Sequence, residues 1–154
     1  MMNPYFEQTI LNADPIELIR MLYQRAISSV REAREHLQHK RIARRSAAVM
    51  QAYSVIAELL AALRPEVAVE ISQRLQNLYF YMQQRLLDAN MQQADQPLAE
   101  VLGLLMTLDE GWSGVAAQLV RDKDVAAGAG ELHAVQADPA QASKEGEDCS
   151  PCLI

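Results

Sequence analysis

From Pro15 to Leu119, apolar side chains return at alternating steps of three and four, the spacing that lines one face of an α-helix. The clearest stretch is Ile71 to Asn90, where Ile71, Leu75, Leu78, Met82, Leu86 and Ala89 form one unbroken stripe. Three similar stripes are Ile16, Ile19, Tyr23, Ala26, Val30, Ala33 and Leu37, then Ile42, Ser46, Val49, Tyr53, Ile56, Leu60 and Leu63, and finally Leu98, Val101, Leu105, Leu108, Trp112, Val115 and Leu119. The breaks between them carry helix punctuation. Asp14-Pro15-Ile16-Glu17 is a start signal: an acceptor for an orphan N–H, a proline where the first turn tolerates one, and an acid at the capping-box position. Pro65 stops the second helix, and Asp95 with Pro97 opens the fourth. Short connections make consecutive helices antiparallel neighbours. The pattern predicts an all-α, antiparallel up-down four-helix bundle over residues 14–120. Residues 1–13 precede it as a short N-terminal cap segment. From 121 to 154 the period lapses into alanine, glycine and acidic residues, which predicts a disordered acidic tail.

The stripes leave apolar residues over. Val69, Phe80 and Leu87 return to one side of the third helix, away from its stripe. On the second helix Ala48, Ala52, Val55, Leu59 and Ala62 form another small apolar strip, where alanines let a second backbone come close. Such surface exceeds what four helices hide among themselves and points to a contact face. The lead-in, with Tyr5, Phe6, Ile10 and Leu11, is too short to hold a helix alone and must dock to be ordered. Glycines 103, 111 and 114 weaken the last turns of the fourth helix.

Charge narrows the partners. The formal net charge is −6, which argues against nucleic acid as the main ligand, because phosphate binding needs clustered Lys and Arg. The basic groups that are present concentrate from Arg20 to Arg45, as a solvated face with a basic turn or as a docking point for an acidic partner. Arg44 and Arg45 oppose the dipole at the start of the second helix, a local cost of a few tenths of a kcal/mol up to roughly 1. No stretch is long and apolar enough to span a membrane, and no secretory leader is legible. Both cysteines, Cys149 and Cys152, lie at the end of the chain, so the bundle has no disulfide and suits the cytoplasm.

Catalytic chemistry finds no foothold. None of the three histidines follows a glutamate by three residues, and the stripes hold no acid, so a di-metal carboxylate site is not expected. His36 and His39 share a helix side but lack a third ligand, and two thiols at Cys149 and Cys152 do not complete a zinc site. No glycine-rich phosphate loop or nucleophile elbow occurs. The expectation is a protein that is not an enzyme and needs no metal or cofactor.

The segments NPYFEQTILNADPIELIRMLYQRAI, AYSVIAELLAAL, EISQRLQNLYFYMQQRLLDAN and PLAEVLGLLMTLDEGW resemble, in order, the signatures of the FliS family, the flagellin-specific export chaperones of the bacterial flagellum. The resemblance runs from residue 3 to about 116. It implies a bundle that binds the C-terminal segment of flagellin in the cytoplasm, prevents premature polymerisation and delivers it to the flagellar type III export gate. By position, the cap that shifts to admit the client comprises Tyr5, Phe6 and Ile10. Off-stripe geometry nominates Met50, Val55, Leu59, Phe80 and Leu87 as the flagellin-binding groove. The alternative use of the same surface is self-association, as a structural or adaptor bundle or a weak homodimer.

Overall fold

A computed structural model describes residues 14–135, with side chains through Ala129. Its elements are α1 (Pro15–Gln38), α2 (Ile42–Ala61), α3 (Val69–Gln92) and α4 (Asp95–Val135). The described residues hold no strand. The chain divides into two compact units, Met1–Ala116 and Ala117–Ile154, and the bundle belongs to the first.

The start signal of α1 works as the sequence predicts. The Asp14 side chain accepts from the Ile16 N–H at 3.2 Å, and Pro15 takes the first helical position. Tyr23, Ala26, Val30 and Ala33 of the predicted stripe are buried, joined by Ile27. The turns after α1 and α3 each use a residue in the left-handed region, Lys40 at φ 57° and Gln93 at φ 52°. Neither is glycine, which makes both turns locally strained.

On α2 the structure corrects the expected face. The strip Ala48, Ala52, Val55 and Leu59 is in the core together with Val49 and Ile56, whereas Ile42 is exposed and Tyr53 and Leu60 are half-buried. The reason is that α2 packs on both α1 and α3, so it buries a wide arc rather than one seam. Arg45 is buried too. Its guanidinium donates to Asn90 Oδ1 at 3.3 Å and to the Asn90 carbonyl at 3.4 Å, while Ser46 Oγ donates to the same Oδ1 at 3.0 Å. The Arg45 charge thus sits at the negative end of α3, which offsets its poor position at the start of α2.

Packing on α4 is secured by polar side chains. Arg34 of α1 holds Asp95 through two hydrogen bonds of 2.7 and 2.8 Å, and Arg85 of α3 holds Glu100 at 2.9 Å. Burial along the α4 stripe is complete at Leu98, Val101 and Leu105 and partial at Leu108 and Trp112, and Val115 is 46% exposed. The helix nevertheless runs on to Val135, whereas the lapse of the apolar period predicted irregular chain from 121. Within the second unit all described side chains, from Ala117 to Ala129, are exposed. Local propensity from Ala126, Ala127, Ala129 and the alternating charges, not burial, makes this segment helical.

Two stability predictions follow from this geometry. Gly103 and Gly111 have nothing within 4 Å of the position an added Cβ would take. Gly103→Ala and Gly111→Ala should each stabilise the protein by about 1 kcal/mol, read as a rise in urea midpoint. The Arg34 guanidinium holds the Asp95 carboxyl below its usual range. A group depressed on folding contributes stability above its unfolded pKa and loses it as pH falls through the folded value. Both side chains are about a third or more exposed, so Asp95→Asn should cost only ~1 kcal/mol at neutral pH. The difference from the parent protein should shrink in denaturation curves taken at progressively lower pH.

Candidate client-binding site

Two hollows flank the turn between α2 and α3. The larger, about 740 Å³, is bounded by the first turns of α1 (Pro15, Leu18, Ile19, Leu22), the end of α2 (Leu59, Ala61), the turn after it including Leu63, the first half of α3 (Ile71, Leu75, Tyr79) and Trp112 of α4. Its walls are apolar because α2 ends at Ala61 while its neighbours continue, leaving their apolar faces without a fourth wall. At its lip Val67 is 82% exposed and Ile71 62%. The sequence placed Ile71 in the core stripe, but the stripe outruns its partners there.

The smaller hollow, about 390 Å³, lies on the other side of the same turn between Leu60 of α2, Leu63 and Pro65 of the turn, and Val69, Gln73 and Gln76 of α3. Ser46 bonds Asn90, and Gln83 Nε2 donates to the Tyr53 carbonyl at 3.3 Å. In an antiparallel pair this register sets Met50 level with Leu86 and Phe80 level with Ile56. Met50 and Phe80 are each 50% exposed, and Leu87 is half-buried. Three of the five nominated residues therefore lie on open or half-open helix surface, outside both hollows.

Val55 and Leu59 do not lie on open surface. Their expected off-core position is corrected: both are buried, because the second α2 strip is a packing face. Leu59 still contributes to the wall of the larger cleft, whereas Val55 does not reach either hollow. The cap residues Tyr5, Phe6 and Ile10 lie outside the described residues, as does everything after Val135.

Beneath the larger cleft sits a polar cluster inside the core. The Tyr23 and Tyr79 hydroxyls hydrogen-bond to each other across the bundle, and Trp112 Nε1 donates to Tyr23 Oη at 3.2 Å. Burial pushes both phenols above their ordinary range, and the charge of Asp109 adds to the effect on Tyr23. Asp109 itself accepts from Gln24, and its other carboxylate oxygen is buried without a partner. Tyr79 was legible from the sequence only as an aromatic beside the stripe. Its burial depends on α1 lying opposite.

Comparison with known proteins bears on what such a surface is for. The family model described as flagellar protein FliS matches residues 1–119. This chain belongs to the FliS family. It is 35% identical over 111 residues to the flagellar secretion chaperone FliS of Salmonella typhimurium, covering 71% of this chain and 82% of that one. It is 31% identical over 110 residues to the flagellar secretion chaperone FliSB of Pseudomonas aeruginosa, covering 71% and 87%. The corresponding chaperone of Bacillus subtilis is 31% identical over 113 residues, covering 71% and 84%. Both hollows and the tyrosine cluster fall inside the matched FliS region. Among the described residues, no helix is long and apolar enough to cross a membrane, and no group of three or more metal-ligating side chains converges.

The tyrosine cluster has a pH signature. A phenol pushed up by folding contributes stability that is complete below its unfolded pKa, near 10, and declines as pH rises beyond it. Spectrophotometric titration should therefore find Tyr23 and Tyr79 still un-ionised at pH values above the ordinary phenol range, near 10. Alkaline unfolding should release both at once.

Proposed function

We propose that this protein is a non-catalytic cytoplasmic chaperone that binds the C-terminal helical segment of flagellin, keeps it from polymerising and presents it to the export gate. Membership of the FliS family and the naming of its relatives as flagellar secretion chaperones support the reading. The observation that carries it is apolar side chains left open on both sides of the α2–α3 turn, in and around two hollows. Leu59 and Ile71 border the larger hollow, and Met50, Phe80 and Leu87 are the residues by which the proposed client surface extends along α2 and α3. Residues 1–13, with Tyr5, Phe6 and Ile10, are the cap that yields to the client. They join the described chain at Asp14, next to Pro15 on the cleft wall.

A client that is unstructured when free loses conformational entropy on binding, so it needs an extended apolar surface rather than one pocket. Titration of the purified protein with flagellin should give saturable binding that is lost when roughly the last 40 residues of flagellin are removed, a length of several helical turns. Phe80→Glu, Leu87→Glu and Ile71→Glu should each weaken binding by about tenfold or more while leaving far-UV circular dichroism unchanged. Full-strength binding to truncated flagellin, or by all three variants, overturns the reading. A mass in solution that stays dimeric when flagellin is added favours self-association.

A further inference from the structure

The end of the bundle away from the two hollows is set apart by its charge. From His36 to Ala57 the sequence holds no acidic residue, and Lys40, Arg41, Arg44 and Arg45 lie within that stretch. Arg45 is buried and bonded to Asn90. The other three are exposed at the α1–α2 turn, and among the described residues none of them forms an ion pair or a side-chain hydrogen bond. The acids that α3 and α4 bring to this end are already engaged, Asp88 with Arg85 at 3.6 Å and Asp95 with Arg34 at 2.7 Å.

Folding gains nothing from these three charges. Arg41 occupies the N-cap position of α2 without a side-chain cap bond, and the first turn, which contains Arg44, holds no acid. Cations placed there oppose the helix dipole. The surface beside them is also apolar, since Ile42 and Met91 are each more than half exposed. The Arg45–Asn90 bonds hold the start of α2 against the end of α3, which brings those two side chains to the same end of the bundle as the cations. Because α2 is 20 residues long, its two ends are about 30 Å apart, and this patch is separated from the hollows at the α2–α3 turn by roughly that span.

We propose that the α1–α2 turn is a second interaction surface, which docks a short segment of another protein bearing both carboxylates and apolar side chains. Lys40, Arg41 and Arg44 meet the carboxylates, and Ile42 and Met91 take the apolar positions. The surface lies apart from the client-binding site and does not depend on that reading. Three cations beside apolar side chains suit a peptide better than a polyanion. A nucleic acid or an anionic membrane presents charge over a wider span and would meet Glu32 and Glu35, exposed on the last two turns of α1. Exposed ion pairs contribute little singly and are screened by salt, so the apolar contacts supply the rest of the affinity.

The test is titration of the full-length protein with a short synthetic peptide of glutamate, leucine and serine, followed by NMR in about 0.05 M salt. The parent should bind it saturably, with the largest amide shifts at residues 40–44 and at Met91. The same peptide with glutamine in place of glutamate should bind about tenfold more weakly or worse. The triple variant Lys40→Glu, Arg41→Glu, Arg44→Glu should lose about tenfold or more in affinity, and it keeps its fold because acids suit the start of α2. A control with the same change in net charge, Arg25→Glu, Arg31→Glu, Arg74→Glu, should stay within about threefold of the parent. Equal losses in the two variants would mean general charge attraction and overturn the proposal. So would the absence of saturable binding, shifts centred elsewhere, or tighter binding to a single-stranded oligonucleotide or to phosphatidylglycerol vesicles than to the peptide. Should either variant fail to fold, the shift map on the parent protein decides.

Discussion

The architecture depends on α2 being packed from two sides. A helix between two neighbours must present apolar surface over a wide arc, and α2 does so with small residues where backbones come close and larger ones between them, Ala48, Ala52, Val55, Ile56 and Leu59 all reaching the core. Its neighbours then project past its last turn at Ala61. That mismatch in length, more than any single residue, leaves Leu22, Ile71 and Leu75 facing a hollow instead of a partner helix. The bundle is closed where α2 is flanked and open where it stops.

Polar side chains fix the arrangement at both ends of the α2–α3 pair. At one end Arg45 and Ser46 converge on Asn90, matching a buried cation to free carbonyl and amide oxygens. Toward the other, Tyr23, Tyr79 and Trp112 join three helices through two hydrogen bonds. Buried groups of this kind add little net stability, but a slipped register would leave them unpaired, and that cost falls on the wrong arrangements. Tyr79 and Trp112 of this cluster also line the larger cleft.

The exposed apolar residues divide into two kinds. Val69, Val67 and Ile71 border the two hollows at the α2–α3 turn, and Met50 and Phe80 are exposed away from both. Surface of this type carries a standing aggregation hazard in a monomer unless something covers it. Under the proposed client-binding function that surface has a use: a segment that folds on binding needs apolar area in extended form.

Helical periodicity and capping residues determined the four helices, the start of α1 at Asp14-Pro15 and the all-α class, because these are set by each segment's own spacing and its local hydrogen bonds. The order of signature segments was enough to point to the FliS family. Which faces are buried was decided only in three dimensions. A helical wheel gives the angle between two strips on one helix but not the number of neighbours around it, so Val55 and Leu59 read as spare surface until α1 and α3 are both in place. Ile71 reads as core until α2 is seen to end too early to cover it. The extension of α4 past residue 120 shows the converse case: no apolar period marks it, and through Ala129 alanine-rich backbone propensity makes a helix whose side chains are exposed.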